Sequence, residues 1–249
     1  MKRYLFLIFA STGIFNLAQE STIQTDRPDQ TESPAITPIN HLLTEIGFMF
    51  EKQNKDFQNY LSPTILWKYG LTQNMELRMM TEIATNSFKN QKNFGVVPFT
   101  FGFKVNLLEE QNMMPKTSFI GHLTTSNLGS KSFHTKHIAP SFRFLFQHSL
   151  SEKLNLGYNI GVDWNGETPD ATGIYTISTA YAFSEKFGGF IELYGFLNKY
   201  QSSDHRFDGG ITYLINQDFQ LDASTGVGIS EISPEYFFSF GVSYRFPLK

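Results

Sequence analysis

Much of the charge on the alternating runs of this chain falls in one phase. Glu45, Glu76, Glu82, Asp163, Glu192, Asp208 and Asp222, with Lys68, Arg78, Lys104, Arg143 and Arg245, occupy one phase of a two-residue alternation whose other phase is apolar. A second set, Asp26, Arg27, Asp29 and Glu32, is packed into a short proline-punctuated stretch ahead of the first alternating run. Charges of both signs on one enclosed face can pair and make the wall rigid, or they can line a path for water and solutes. For a single residue, structural pairing is the simpler reading. Tyr60, Phe190, Tyr194, Phe196 and Phe237 share the polar phase and are either filling or a greasy route for an aromatic solute. His122 and Ser126 are a base and a nucleophile by type, but four extended residues separate them by about 13 Å. Direct proton transfer over that span is excluded. His134 and His137 offer two metal ligands without a third, so neither a cofactor nor a metal is expected.

The element that positions these side chains is the β-strand. In Leu154 to Trp164, Leu154, Leu156, Tyr158, Ile160, Val162 and Trp164 alternate with Asn155, Gly157, Asn159, Gly161 and Asp163. A period of two places the two sets on opposite faces. Ile138 to Leu150 behaves likewise, with Phe142, Phe144 and Phe146 opposite Ser141, Arg143 and Leu145, and Ser151 to Lys153 suits a tight hairpin between the two. The pattern recurs to give twelve strands from Leu42 to Phe246, and no Asp, Glu, Lys or Arg falls on an apolar face. A tilted strand of about 9–11 residues crosses a bilayer, and a charge on the lipid face near mid-bilayer costs about 2–4 kcal/mol. The segregation is what lipid enforces. Connections alternate between short ones (Gly70 to Asn74, Ser151 to Lys153, Ser184 to Lys186, Ile215 to Asp218) and longer ones (Asn86 to Asn93, Ser126 to His137, Asn165 to Thr172). This is the alternation of periplasmic turns and outer loops.

The totals agree. The 249 residues carry a net charge of −3, no cysteine, only 17% charged residues and 26 phenylalanines. Soluble domains average about 25% charged. The near-neutral balance and the lack of a basic run exclude nucleic acid as a partner. Without cysteine there is no disulfide framework and no thiolate metal site. A soluble sandwich or lipocalin-like barrel would turn its large apolar face inward, yet an eight-stranded barrel is already about full of side chains. The polar face here also has too little charge for a soluble exterior.

Three segments follow along the chain. Met1 to Ala18 reads as a signal peptide, with Lys2 and Arg3 before an apolar run from Tyr4 to Phe15 that is too short for a membrane helix. Gln19 to Asn40 is polar and contains Pro28, Pro34 and Pro38, so it forms turns rather than a helix. Residues 41–249 form the barrel, an antiparallel up-and-down meander. Extended, the 22 residues from Gln19 to Asn40 reach up to about 70 Å, more than twice the hydrocarbon thickness. The segment is either a disordered periplasmic leader or a plug. As a plug it sets Arg27 against inward carboxylates, and Asp26, Asp29 or Glu32 against Arg78, Arg143 or Arg245.

Asp26-Arg27-Pro28-Asp29-Gln30-Thr31-Glu32-Ser33-Pro34 ahead of a barrel pattern, together with Phe207-Asp208-Gly209-Gly210-Ile211-Thr212-Tyr213, resembles the outer-membrane transporters named after the meta-cleavage pathway of phenol degradation. The resemblance implies a passive transporter or channel for small molecules, with aromatic or apolar compounds suggested by the family name. It also implies outer-membrane lipid and the barrel-assembly machinery as partners. Barrels handled by that machinery usually end in an aromatic residue, whereas here Phe246 is followed by Pro247-Leu248-Lys249. The alternatives are a structural or binding barrel with a blocked lumen and a lipid hydrolase. The last rests on a faint similarity of Gly121 to Asn127 to outer-membrane phospholipases.

Overall fold

The computed structural model describes residues 22–248 apart from Asn90. The signal-peptide reading of Met1 to Ala18 lies outside these residues. The alternating runs fold as strands β1 (His41–Lys52), β2 (Phe57–Thr72), β3 (Met75–Phe88), β4 (Gln91–Val96), β5 (Thr100–Leu108), β6 (Lys116–Thr124), β7 (Ala139–Ser149), β8 (Leu154–Trp164), β9 (Ala171–Ala182), β10 (Phe187–Leu197), β11 (Asp204–Asn216), β12 (Phe219–Gly228) and β13 (Tyr236–Pro247). Each antiparallel strand pairs with its sequence neighbours except β4 and β5, which both pair with β3, and β13 returns to β1, from Leu42 opposite Phe246 to Phe50 opposite Phe238. The sheet therefore closes and leaves no edge along the barrel wall.

Thirteen strands make twelve spans, because β4 and β5 share β3. The outer half of β3 pairs with β4 and its inner half with β5. The break falls at Val97-Pro98-Phe99. Proline has no amide hydrogen to give the ladder, and Phe99 turns its own groups to the next loop, donating to the Leu128 carbonyl at 3.1 Å and accepting from Thr125 N–H at 2.9 Å. One expected outer loop is also different. Residues 86–93 continue the ladder as a hairpin, with Asn86 opposite Asn93.

Burial is the reverse of that in a water-soluble protein. Among the most deeply buried side chains are Arg245, Lys68, Lys104, Glu45, Glu76, Glu192 and Asp208, while Phe144, Ile160, Ile191, Phe238 and Phe240 are exposed. Charged residues are seldom fully buried unless paired, so the polar interior must be a paired network and the apolar exterior must face lipid. Aromatic rings stack on that exterior, Phe48 on Phe240 at 4.9 Å and Phe146 on Tyr158 at 5.0 Å. Such contacts add about 0.5–1.5 kcal/mol each beyond simple burial. No helix among the described residues is long and apolar enough to cross a membrane.

The alternation fails once. Tyr60, expected inside, lies outside opposite Phe50, with the ring centroids 4.9 Å apart. The β2–β3 register shifts between Leu61 and Thr64. A bulge at Ser62-Pro63 reverses the phase of the outer part of β2, which carries Tyr60 outward and Leu61 inward against buried Ala84.

Candidate functional site

The segment ahead of β1 lies inside the barrel. It enters from the end with the short turns, where Ile23 N–H donates to the Gln217 carbonyl at 2.8 Å and Leu248 N–H meets the Asn40 carbonyl at 2.7 Å. Three prolines prevent it from forming its own ladder, so its backbone groups must find partners on the wall. Asp26 N–H and Arg27 N–H donate to the Glu45 carboxylate at 3.1 and 2.9 Å. Gln30 N–H donates to Glu192 at 2.8 Å, Glu32 N–H to the Asn159 side-chain oxygen at 2.8 Å, and Thr37 N–H to Glu76 at 2.8 Å. Inward polar side chains of the barrel thus take the place of a neighbouring strand.

Asp26 is the centre of a clamp. Its carboxylate accepts Lys68 Nζ at 2.9 Å, Arg78 Nη1 at 3.0 Å and Lys104 Nζ at 3.0 Å, from β2, β3 and β5. Glu45 also pairs with Lys68, and Glu76 takes Arg78 at 3.0 Å and Lys104 at 3.7 Å. Glu32 holds Arg78 at 2.7 Å and approaches Arg143 at 3.8 Å. Burial alone would raise the Asp26 carboxyl, but Lys104, Lys68 and Arg78 outweigh it and hold the group well below the usual carboxylate range. Glu32 is lowered in the same way, with burial opposed chiefly by Arg78. On the other side Arg27 binds Asp222 at 2.7 Å and the Ser239 hydroxyl at 2.9 Å. Its guanidinium crosses Gly47 and Gly241, where a Cβ would stand 2.1 and 2.4 Å from it. Both positions need glycine for this close approach.

Of the contacts expected for a plug, Arg27 meets Asp222, Asp26 and Glu32 meet Arg78, and Arg143 lies 3.8 Å from Glu32. Lys104, Glu76, Glu192, Asp208 and Tyr194 all point inward and are buried. Glu82 points inward and accepts the Thr64 hydroxyl at 3.0 Å. Two expected contacts do not form. Arg245 reaches Asp218 at 2.6 Å, at the β11–β12 turn and away from the segment. Among the described residues Asp29 forms no ion pair with a basic group and instead faces Glu192 and Asp208, and burial followed by the Glu192 charge pushes its carboxyl well above the usual range.

Sequence reasoning missed a further cluster, in which Arg206 pairs with Glu51 and with Asp204 at 2.6 Å each and lies over the Tyr194 and Phe196 rings at 6.0 and 5.6 Å. Counting back by two from Asp208 reaches Arg206 and Asp204, and counting forward from Glu45 reaches Glu51. The signal was the alternation itself, carried past the last apolar residue of each run.

Between the segment and the β8–β11 wall lies a cavity of about 280 Å³. Pro28 and Asp29 border it from the segment, and Gly157, Ala180, Gly188 and Thr212 from the wall. Across the lumen the wall is charged, while here it is small and neutral. His122 is also inward, beside Gly102, whereas Ser126 lies in the loop after β6, where its carbonyl accepts Thr135 N–H at 3.0 Å.

A closed antiparallel barrel with an apolar belt, a charged lumen and an internal segment defines an outer-membrane β-barrel protein. The chain belongs to the family described as "Putative MetA-pathway of phenol degradation", which matches residues 25–246 and so takes in both segment and barrel. Among solved structures it is similar to the COG4313 outer membrane channel from Pseudomonas putida F1, with 13% identity and a TM-score of 0.69 over 88% of this chain and 99% of that one. It is also similar to the KdgM porin, solved with disordered oligogalacturonate (12% identity, TM-score 0.53, 81% and 99% covered). The NanC porin is a third likeness (11% identity, TM-score 0.51, 82% and 98% covered). At these identities the likeness is one of fold. No curated protein matches the chain.

Proposed function

We propose that the protein is a passive outer-membrane channel for small molecules, in which the segment from Ile23 to Asn40 narrows the lumen and sets what passes. The observation that carries this reading is the cavity of about 280 Å³ beside the segment, bordered on the wall by neutral residues, among them Gly157, Ala180 and Gly188, that leave room for a solute. The channel and porins of like fold support it. The family description suggests aromatic compounds, and Phe190 in the cavity lining gives such a solute one ring to meet. Export through Met1 to Ala18 and insertion by the assembly machinery, with Phe246 near the chain end as the contact, belong to the same proposal. A lipid hydrolase finds little support, because Ser126 lies in a loop beyond the strand that carries His122. The test is swelling of liposomes containing the purified protein in solutes of increasing size. Entry of small solutes with a sharp size limit is expected. Impermeability to all of them, with the barrel shown to be folded, would favour a closed structural barrel.

A further inference from the structure

Pairing in the lumen is uneven by sign. Each inward lysine or arginine among the described residues has a carboxylate within 4.0 Å. Arg27 has Asp222, Lys68 and Lys104 have Asp26, Arg78 has Glu32, Arg143 has Glu32 and Asp163, and Arg206 has Glu51 and Asp204. The reverse does not hold. Among the described residues Asp29, Glu82, Glu192 and Asp208 form no ion pair with a lysine or arginine, while every other inward carboxylate just named does.

Three of these four carboxyls stand together. Glu192 and Asp208 are direct partners across the β10–β11 ladder, 1% and 2% exposed, and close enough to hydrogen-bond if one of them holds a proton. Like charges placed directly opposite on neighbouring strands are destabilising. Two carboxyls so close cannot both ionise without a positive charge between them. Glu192 already accepts the Gln30 amide at 2.8 Å and the Thr31 hydroxyl at 2.5 Å, whereas Asp208 Oδ1 is buried without any donor. Asp29 completes the group from the segment and borders the cavity. The nearby cations have other partners, Arg27 with Asp222, Arg206 with Glu51 and Asp204, and Arg143, which touches the Gln30 carbonyl at 3.4 Å, with Glu32 and Asp163. Glu82 stands toward the outer mouth on β3, where its carboxylate accepts the Thr64 hydroxyl at 3.0 Å.

Resting on the channel reading above, we propose that the lumen selects cations, and that its solutes are small monovalent cations, including ammonium and alkylammonium compounds. Glu82 attracts them at the outer side, the Asp29–Glu192–Asp208 group receives them in the middle, and the cavity that Asp29 borders passes them on. An anion meets no uncommitted positive side chain along this route and must break a buried pair to gain one, which is strongly disfavoured. A cation meets carboxyls whose charge is otherwise balanced only by protons. Among the described residues no three acidic or histidine side chains converge as a metal cage, so the arrangement suits passage of a singly charged solute rather than capture of a multivalent ion. The cavity volume keeps the solute small.

The test is the reversal potential of single channels of the full chain in a planar bilayer under a potassium chloride gradient, repeated with methylammonium chloride. Selectivity for potassium over chloride is expected, with methylammonium also carrying current. At a pH high enough to ionise these carboxyls, Asp29→Asn and Glu82→Gln are each expected to lower the cation-to-anion permeability ratio by about threefold, the effect of one unit charge about 6 Å from the path at water-like dielectric. Asp29 lies on the segment, so its replacement leaves the barrel wall intact, and heat-modifiable gel mobility checks folding for both variants. A reversal potential of zero or of anionic sign overturns the proposal, and so does an unchanged ratio in both folded variants. Absence of any current from folded protein instead overturns the channel reading on which the proposal depends.

Discussion

The two sides of the lumen hold the same segment by different physics. On β1 to β5, Asp26 is enclosed by Lys68, Arg78 and Lys104, each charge meeting its opposite within 3.0 Å. On β8 to β11, residues 28–31 rest against Gly157, Thr176 and Glu192, the charges facing Asp29 there are carboxyls, and Arg143 reaches the stretch through the Gln30 carbonyl at 3.4 Å. A buried charge is tolerated when it is paired and costly when it is not. The first side therefore acts as an anchor and the second as a docking place that other cations or protons can influence. One short stretch of chain, from Asp26 to Glu32, spans both.

Removing the anchor should give the largest effect. Asp26→Ala leaves three buried cations short of a carboxylate, and breaking buried pairs of this kind costs about 3–5 kcal/mol. The segment should become sensitive to added protease in detergent, and the barrel should lose its heat-modifiable gel shift at a lower temperature. An unaltered protease pattern would mean that Glu45 and Glu76 hold the cations without help and that the anchor is misassigned.

The inside–outside assignment comes next in size. Arginine in place of Phe144, on the lipid face, should cost about 2–4 kcal/mol near mid-bilayer and reduce the folded yield. Arginine in place of Ser141, on the same strand but facing Asp163 across the ladder, should fold normally. Equal yields for the two would contradict the assignment.

The sheet was legible because it obeys one rule almost everywhere. A period of two, with lipid on one side, leaves little freedom in where a charge can stand, so the inward set from Glu45 to Arg245 could be read off directly. The rule failed where something local reset its phase. The bulge at Ser62-Pro63 turned Tyr60 outward, and Pro98 broke the fourth span. Both sites carry a proline, but a proline does not announce whether a strand will bulge, break or simply end. The segment was legible only in part. Its charges and length permitted a plug, and the partners of Asp26, Arg27 and Glu32 followed from sign. Nothing in sign could place Asp29 beside two more carboxyls, because that contact is a consequence of the anchor on the far side of the lumen.

A cross-link sharpens the comparison at the docking side. A Cβ on Gly157 would lie 3.0 Å from Thr31 Cγ2, within the range from which a disulfide can form with small adjustments. The chain has no cysteine of its own, so the Thr31→Cys, Gly157→Cys pair forms one defined bond. If the tip moves aside to pass solute, oxidation should lower conductance and a reductant should restore it. Equal conductance in both states would show that solutes pass with the tip in place.

The smallest effect expected is also the most specific to the docking side. Burial first, and the Glu192 and Asp208 charges after it, raise the Asp29 carboxyl well above the usual carboxylate range. The sign follows from proton linkage. A group that binds its proton more tightly when docked favours docking fully below its free value and loses that contribution as pH rises through the docked value. The contribution of Asp29 to docking should therefore fade as pH climbs from about 3.8 through its raised docked value. Asp26 behaves oppositely, since its depressed carboxyl favours docking above the usual range and fails only in strong acid. Glu192, Asp208 and the Ser178 hydroxyl act on Asp29; the hydroxyl opposes the rise, and burial with the two carboxyls sets the sign. Spin labels on a cysteine at Gln30 should report a tip that grows more mobile with rising pH while one at Pro34, near Lys104, stays fixed. Asp29→Asn should flatten the first profile and leave the second unchanged. Identical profiles at the two positions would mean that the segment docks as one unit and that the two walls do not differ in how they hold it.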